Sequence, residues 1–116
     1  MIDDVFCKII AGEIKADVVY QDEDFWVIKD INAQAPIHLL IIPIKHFGSL
    51  EDFIEGNNDG LLGKAFVIAH KVAHRVGIAK RGYRLILNEG EDGGKLVPHL
   101  HIHLLGGKKL GPKIVK

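Results

Sequence analysis

A chain of 116 residues has room for one domain with a modest core, and 47% of it is hydrophobic. Fifteen basic residues balance fifteen acidic ones, which argues against a protein that coats nucleic acid or lies on a membrane surface, so any phosphate it binds must be held locally. The single cysteine, Cys7, excludes an intrachain disulfide. The N-terminus opens on Asp3 and Asp4 rather than a basic region and an apolar run, and the longest apolar stretch, 37–44, is broken by His38 and Pro43. A soluble cytoplasmic protein is therefore expected.

In chain order, Asp3 or Asp4 can cap a short helix reaching about Ala11, with Val5, Phe6, Ile9 and Ile10 on one apolar face and Gly12 ending it. Phe6, Ile9 and Ile14 read as core, and Cys7 as a packed thiol. Residues 17–21 and 25–30 are rich in Val, Tyr, Phe, Trp and Ile around the acidic turn Asp22-Glu23-Asp24, which predicts a β-hairpin. Asp30 closes it as a turn former, although a carboxylate there can also accept two hydrogen bonds from a diol. Residues 38–43 predict a strand buried on both faces, with His38 inside it.

Residues 49–54 form a short turn or helix, and 56–60 a loop that supplies the cap of a long helix over 60–76. Leu61, Leu62, Ala65, Phe66, Ala69, Val72, Ala73 and Val76 give that helix one buried face, and Gly77 ends it. His70 and His74 are one turn apart and fit a solvated flank better than a metal site. A strand over 83–88 leads into the glycine-rich turn 89–94, whose backbone N–H groups could face a phosphate.

That turn enters Pro98-His-Leu-His-Ile-His-Leu104. A strand turns successive side chains to opposite faces, so His99, His101 and His103 share one face and Leu100, Ile102 and Leu104 the other. Two chemistries suit such a row. Neighbouring imidazoles, roughly 6.5 Å apart along a strand, could converge on a metal given a third ligand from elsewhere. Alternatively, the central imidazole acts as a nucleophile while its neighbours fix its tautomer and donate to an anionic substrate. The element order predicts an α+β domain on an antiparallel sheet.

His99-Leu-His101-Ile-His103-Leu-Leu105 resembles the signature of the histidine triad (HIT) family. Phe6-Cys-Lys-Ile-Ile10, Asp30-Ile-Asn-Ala-Gln-Ala-Pro36-Ile-His38, Pro43-Ile-Lys-His46, Asn88-Glu-Gly90 and Asp92-Gly-Gly94 extend the likeness to the Hint branch, the histidine triad nucleotide-binding proteins. The resemblance implies one HIT domain over residues 1–116, with a five-stranded antiparallel sheet, one long and one short helix, and a sheet continued across a homodimer. It also implies a purine nucleoside phosphoramidase that needs no metal or other cofactor.

On that likeness His101 is the nucleophile, and His99 and His38 set its tautomer. His103 and Asn88 donate to the phosphoryl oxygens beside Gly94, Lys95 and Leu96. Asp30 holds the ribose, and Phe6, Ile9, Ile14, Ile31 and Leu40 pack near the base. The chain departs from the branch at Leu96, where a polar residue such as serine is common, and at Pro98, where an aromatic is common. Two other readings stay open: a nucleotide-binding regulatory protein with little turnover, and a metalloprotein ligated through pairs of the triad histidines. The expected partners are a purine nucleotide and a second copy of the chain, with no nucleic acid and no membrane.

Overall fold

The computed structural model describes residues 4–112. Asp3 and the end of the basic tail, 113–116, lie outside the described residues. Helix α1 (Val5–Ile10) leads to β1 (Val18–Gln21), β2 (Phe25–Lys29) and β3 (Ile37–Pro43), followed by helices α2 (Leu50–Glu55) and α3 (Asp59–Arg75). Strands β4 (Tyr83–Ile86) and β5 (Ile102–Gly106) complete one antiparallel sheet of order β1-β2-β3-β5-β4. The turn or helix expected over 49–54 is the helix α2, capped by Ser49 Oγ accepting from the Asp52 N–H, so the structure has two short helices where the resemblance implies one. No helix among the described residues is long and apolar enough to cross a membrane.

The registers sort the sheet into two faces. Phe25, Val27, Leu39, Ile41, Ile102 and Leu104 pack under α3 against Ala65, Ile68, Ala69, Val72 and Ala73. The predicted stripe on α3 is corrected at two places, because Phe66 is exposed and Ile68 is buried in its stead. The end of α3 follows its glycine. Gly77 takes φ +82°, its N–H reaches His74 O, and the Ile78 N–H reaches Ala73 O, which satisfies carbonyls that the last turn would leave bare. At the start of α3, Asn58 sits at the cap but gives its side-chain amide to Phe53 O instead of capping the helix.

The opposite face is covered at one end only. Phe6 and Ile9 of α1 pack on Ile28, Leu40 and Ile42, while His38, His103, Arg84 and Ile86 continue the same face beyond them. Asp4 caps α1, accepting the Cys7 N–H at 2.8 Å.

Candidate active site

The histidine row is not all strand. β5 begins at Ile102, so His99, Leu100 and His101 come before it in irregular backbone. Leu100 is held by its N–H on Phe47 O at 2.6 Å and by its side chain in one buried cluster with Phe47 and Phe53. These anchors keep the alternation of faces where ladder bonds do not. Phe6 meets the rings of His99 and His101 edge-on at 5.6 and 5.0 Å, and the rings of His101 and His103 lie 5.0 Å apart.

Hydrogen bonds then settle where each proton sits. His101 Nδ1 donates to the carbonyl of His99 at 2.7 Å, which leaves the lone pair of a neutral ring on Nε2. The backbone of His99, not its ring, therefore sets this tautomer. His38 Nδ1 accepts from the Gln34 N–H at 3.0 Å, so its proton is on Nε2, 2.9 Å from His103 Nδ1 and 3.3 Å from Asp30 Oδ2. His103 accepts on Nδ1 and must carry its own proton on Nε2. His38 is thus in series with His103 rather than with His101.

A cavity of about 420 Å³ opens in front of these rings. Phe6, Ile9, Ile14, Ile28 and Leu40 line one part, and Asp30, Asn88, His38, His101 and His103 another, with Gly94, Ile31 and Leu96 also on its wall. Ile31 and Leu96 are each 93% exposed, so both stand at the mouth and neither is a packing residue. Asp30 already accepts the Asn32 N–H on Oδ1 and faces His38 through Oδ2, and a carboxylate with about four lone-pair sites still has room for a diol.

Two predicted residues do not reach the cavity. His99 is fully buried, giving Nε2–H to Pro43 O at 3.1 Å. The Lys95 ammonium turns away to Gly48 O and to Glu89 Oε1 at 3.2 Å, while Glu89 Oε2 accepts the Leu50 N–H, so the pair ties the glycine turn to the start of α2. The turn also closes on itself. Gly94 N–H reaches Glu91 O and Lys95 N–H reaches Gly90 O, which takes both donors away from a phosphate. A Cβ at Gly93 would fall 2.2 Å from the Glu89 carbonyl, so this closed shape requires glycine there.

Behind the triad lies a group that sequence reasoning missed. The Nδ1 atoms of His99 and His46, Cys7 Sγ and the Asp4 carboxylate all lie within 4.8 Å of one another. Cys7 is therefore not in apolar surroundings: its sulfur is 3.3 Å from His46 Nδ1 and 3.6 Å from His99 Nδ1. For Asp4, burial pushes the carboxyl up, but the Cys7 N–H and the His99 and His46 imidazoles outweigh it and hold the group below the usual carboxylate range. Burial pushes His99 down toward the neutral ring. These two directions conflict. A neutral His99 that donates through Nε2 would aim the Nδ1 lone pair at an ionised carboxylate 3.2 Å away, so a cation or a proton belongs between them.

Burial also lowers His101, with the Lys95 charge adding to it, and takes His103 to about 4, with the charges of His101 and His38 adding to it. Unfolded, these imidazoles take up protons near 6.5. The folded state resists protonation, so their contribution to stability is complete above pH 6.5 and is lost as pH falls from there through the folded values, near 4 for His103. Asp4 adds nothing in that window, because its depressed carboxyl protonates only below 3.8. After discounting for solvent around the half-buried ring, His103 alone should cost roughly 1 kcal/mol of stability between pH 7.5 and 5. The midpoint of urea unfolding should fall over that range, and an unchanged midpoint would count against buried neutral imidazoles.

A HIT domain matches residues 11–110 of the chain. The "Purine nucleoside phosphoramidase" of Escherichia coli (strain K12) is 44% identical over 110 residues, covering 95% of this chain and 92% of that protein. An "Uncharacterized HIT-like protein" of Chlamydia trachomatis is 50% identical over 107 residues, covering 92% and 95%. Among solved structures, a HIT family hydrolase from Clostridium thermocellum superposes with a TM-score of 0.93 at 47% identity, covering 99% of each chain. The chain belongs to the HIT family.

Proposed function

We propose that the chain is a purine nucleoside phosphoramidase, a hydrolase of compounds in which a nucleoside 5′-phosphate is joined to an amine. The observation that carries this reading is the His101 ring on the wall of a half-apolar cavity, with its proton fixed on Nδ1 and its Nε2 lone pair available. Nε2 attacks the phosphorus, the P–N bond breaks, and a nucleotidyl-histidine forms. Water then attacks the phosphorus and frees the ring. In the net reaction one water is consumed: its hydroxyl ends on phosphorus and its other hydrogen on the amine. Division into two displacements replaces one difficult step with two easier ones. The His103 Nε2–H and the Asn88 side chain offset the charge on the phosphoryl oxygens, Asp30 takes the ribose diol, and Phe6, Ile9 and Leu40 flank the base. The test is release of the nucleoside monophosphate from a fluorogenic phosphoramidate. Tight nucleotide binding without product would favour the regulatory reading instead.

Leu96 bears on the rate. If a polar side chain at the cavity mouth assists departure of the amine, its absence costs about 1–3 kcal/mol, or roughly 5- to 150-fold. Because Leu96 is exposed, replacing it disturbs little packing. Leu96→Ser should therefore raise kcat more than it changes KM, and an unchanged or lower kcat would make the position irrelevant to the chemistry.

The homodimer belongs to the same reading. Among the described residues β4 is an edge strand with no neighbouring strand on one side, an edge that native sheets usually pair or cover. Sedimentation should give twice the 12.8 kDa of the chain at micromolar concentration, and a stable monomer would refute the pairing.

A second reading is favoured by the Asp4, Cys7, His46 and His99 group. One carboxylate, one sulfur and two imidazoles form a donor set suited to a tetrahedral zinc ion. Such an ion would answer the clash of lone pairs between Asp4 and His99. The group touches α1 and the backbone that positions His101, so this role is structural, and elemental analysis of the purified protein with and without chelation tests it.

A further inference from the structure

Beyond His103 the open face of the sheet carries a second hollow that the reading above leaves unused. Its volume is about 480 Å³, and it shares Gln34, His38, Asn88 and His103 with the nucleotide cavity. His101 lines the first cavity and not the second. The far wall holds Arg84, Lys108 and Lys109, and no acidic residue lines it. Arg84 is placed there by register: it pairs with Leu105, two residues along β5 from His103, so both side chains stand on one face. None of the three cations has an ion-pair partner among the described residues, and Arg84 gives only Nη2 to Gly111 O.

We propose that this hollow receives the distal end of the departing amine, and that the preferred substrates are nucleoside 5′-phosphoramidates whose amine carries a distal carboxylate. The proposal rests on the phosphoramidase reading and adds its substrate class. Displacement at phosphorus places the nucleophile and the leaving group on opposite sides. His101 stands on one side, and the donors His103 and Asn88 form the wall common to both hollows. The nitrogen leaves on the side away from His101, and a chain on it that bends past that shared wall reaches Arg84, Lys108 and Lys109. Three cations without a counter-charge among the described residues give this end a positive potential, and the guanidinium fork suits a carboxylate. The bonds made and broken are those of the hydrolysis already described, and the carboxylate takes no part in them.

The test compares purine nucleoside 5′-phosphoramidates of γ-aminobutyrate and of its primary amide, which match in length and shape and differ by one charge. Three partly exposed pairs should together favour the acid by roughly tenfold in kcat/KM at low salt. The preference should shrink as sodium chloride is raised, and Arg84→Gln combined with Lys108→Gln and Lys109→Gln should bring the ratio close to one. The amide reports in the same assay whether the variant is folded and active. A ratio of one or below in the wild type, with both compounds turned over, overturns the proposal. So does a preference that survives the triple substitution. If the triple variant loses the amide activity as well, the wild-type salt series decides, and a ratio that salt does not move overturns the assignment. Failure to turn over either compound overturns the phosphoramidase reading itself.

Discussion

His101→Ala should reduce turnover by at least about a thousandfold while leaving a nucleoside monophosphate bound with little change in Kd. The covalent step cannot form without Nε2, and a lost nucleophile costs several kcal/mol of transition-state stabilisation. Binding persists because the diol, the base and the phosphoryl oxygens meet other groups, Asp30, the Phe6 and Ile9 wall, and His103 with Asn88. Single-turnover assays with a fluorogenic phosphoramidate, run beside calorimetric titration with the monophosphate, separate the two effects. Retention of a tenth of the wild-type rate would exclude His101 as the nucleophile. Loss of binding together with rate would mean that the substitution had damaged the cavity, whose Phe6 wall rests against the same ring.

The site was legible in the sequence to the extent that its determinants are local. Alternation in His99-Leu-His-Ile-His103 gives the two faces directly, although only the last two of those residues belong to β5. The faces survive in the irregular part because Leu100 is buried against Phe47 and Phe53, a contact across some fifty residues that periodicity does not reveal. On α3 the three- and four-residue spacing chose Phe66 over Ile68, because size and apolarity cannot say where the buried stripe of a helix is centred. The resemblance puts Lys95 beside the phosphoryl oxygens with the rest of its turn, whereas its ammonium reaches Glu89 and Gly48, away from the cavity.

The group of Asp4, Cys7, His46 and His99 was hidden for a related reason. Its members come from the cap of α1, the loop after β3 and the approach to β5, and no spacing links them. A capping aspartate has an adequate local explanation, as does a cysteine among apolar residues, and each was read that way. Only the folded chain brings these polar atoms against one imidazole whose other nitrogen is already committed to Pro43 O. Sequence gives the candidates for chemistry, whereas proton positions depend on partners that the fold supplies.

That dependence makes the relay behind His103 the most informative target after His101. Gln34 N–H fixes His38, His38 fixes His103, and His103 is left with an N–H to offer a phosphoryl oxygen whose charge grows during displacement. Removing one such donor from a preorganised site typically costs about 10²–10³ in kcat, so His103→Ala should fall in that range with a much smaller change in KM. His38→Ala leaves the donor in place and removes only the group that selects its tautomer and orients its ring, so its loss should be smaller, roughly tenfold to a hundredfold. His103→Gln, which keeps an N–H donor, should recover part of the activity lost in His103→Ala. The order of the two alanine variants is the decisive measurement. If His38→Ala proves more damaging than His103→Ala, then His38 acts on the nucleophile by a path that does not pass through His103, and the series of hydrogen bonds is not the one that catalysis uses.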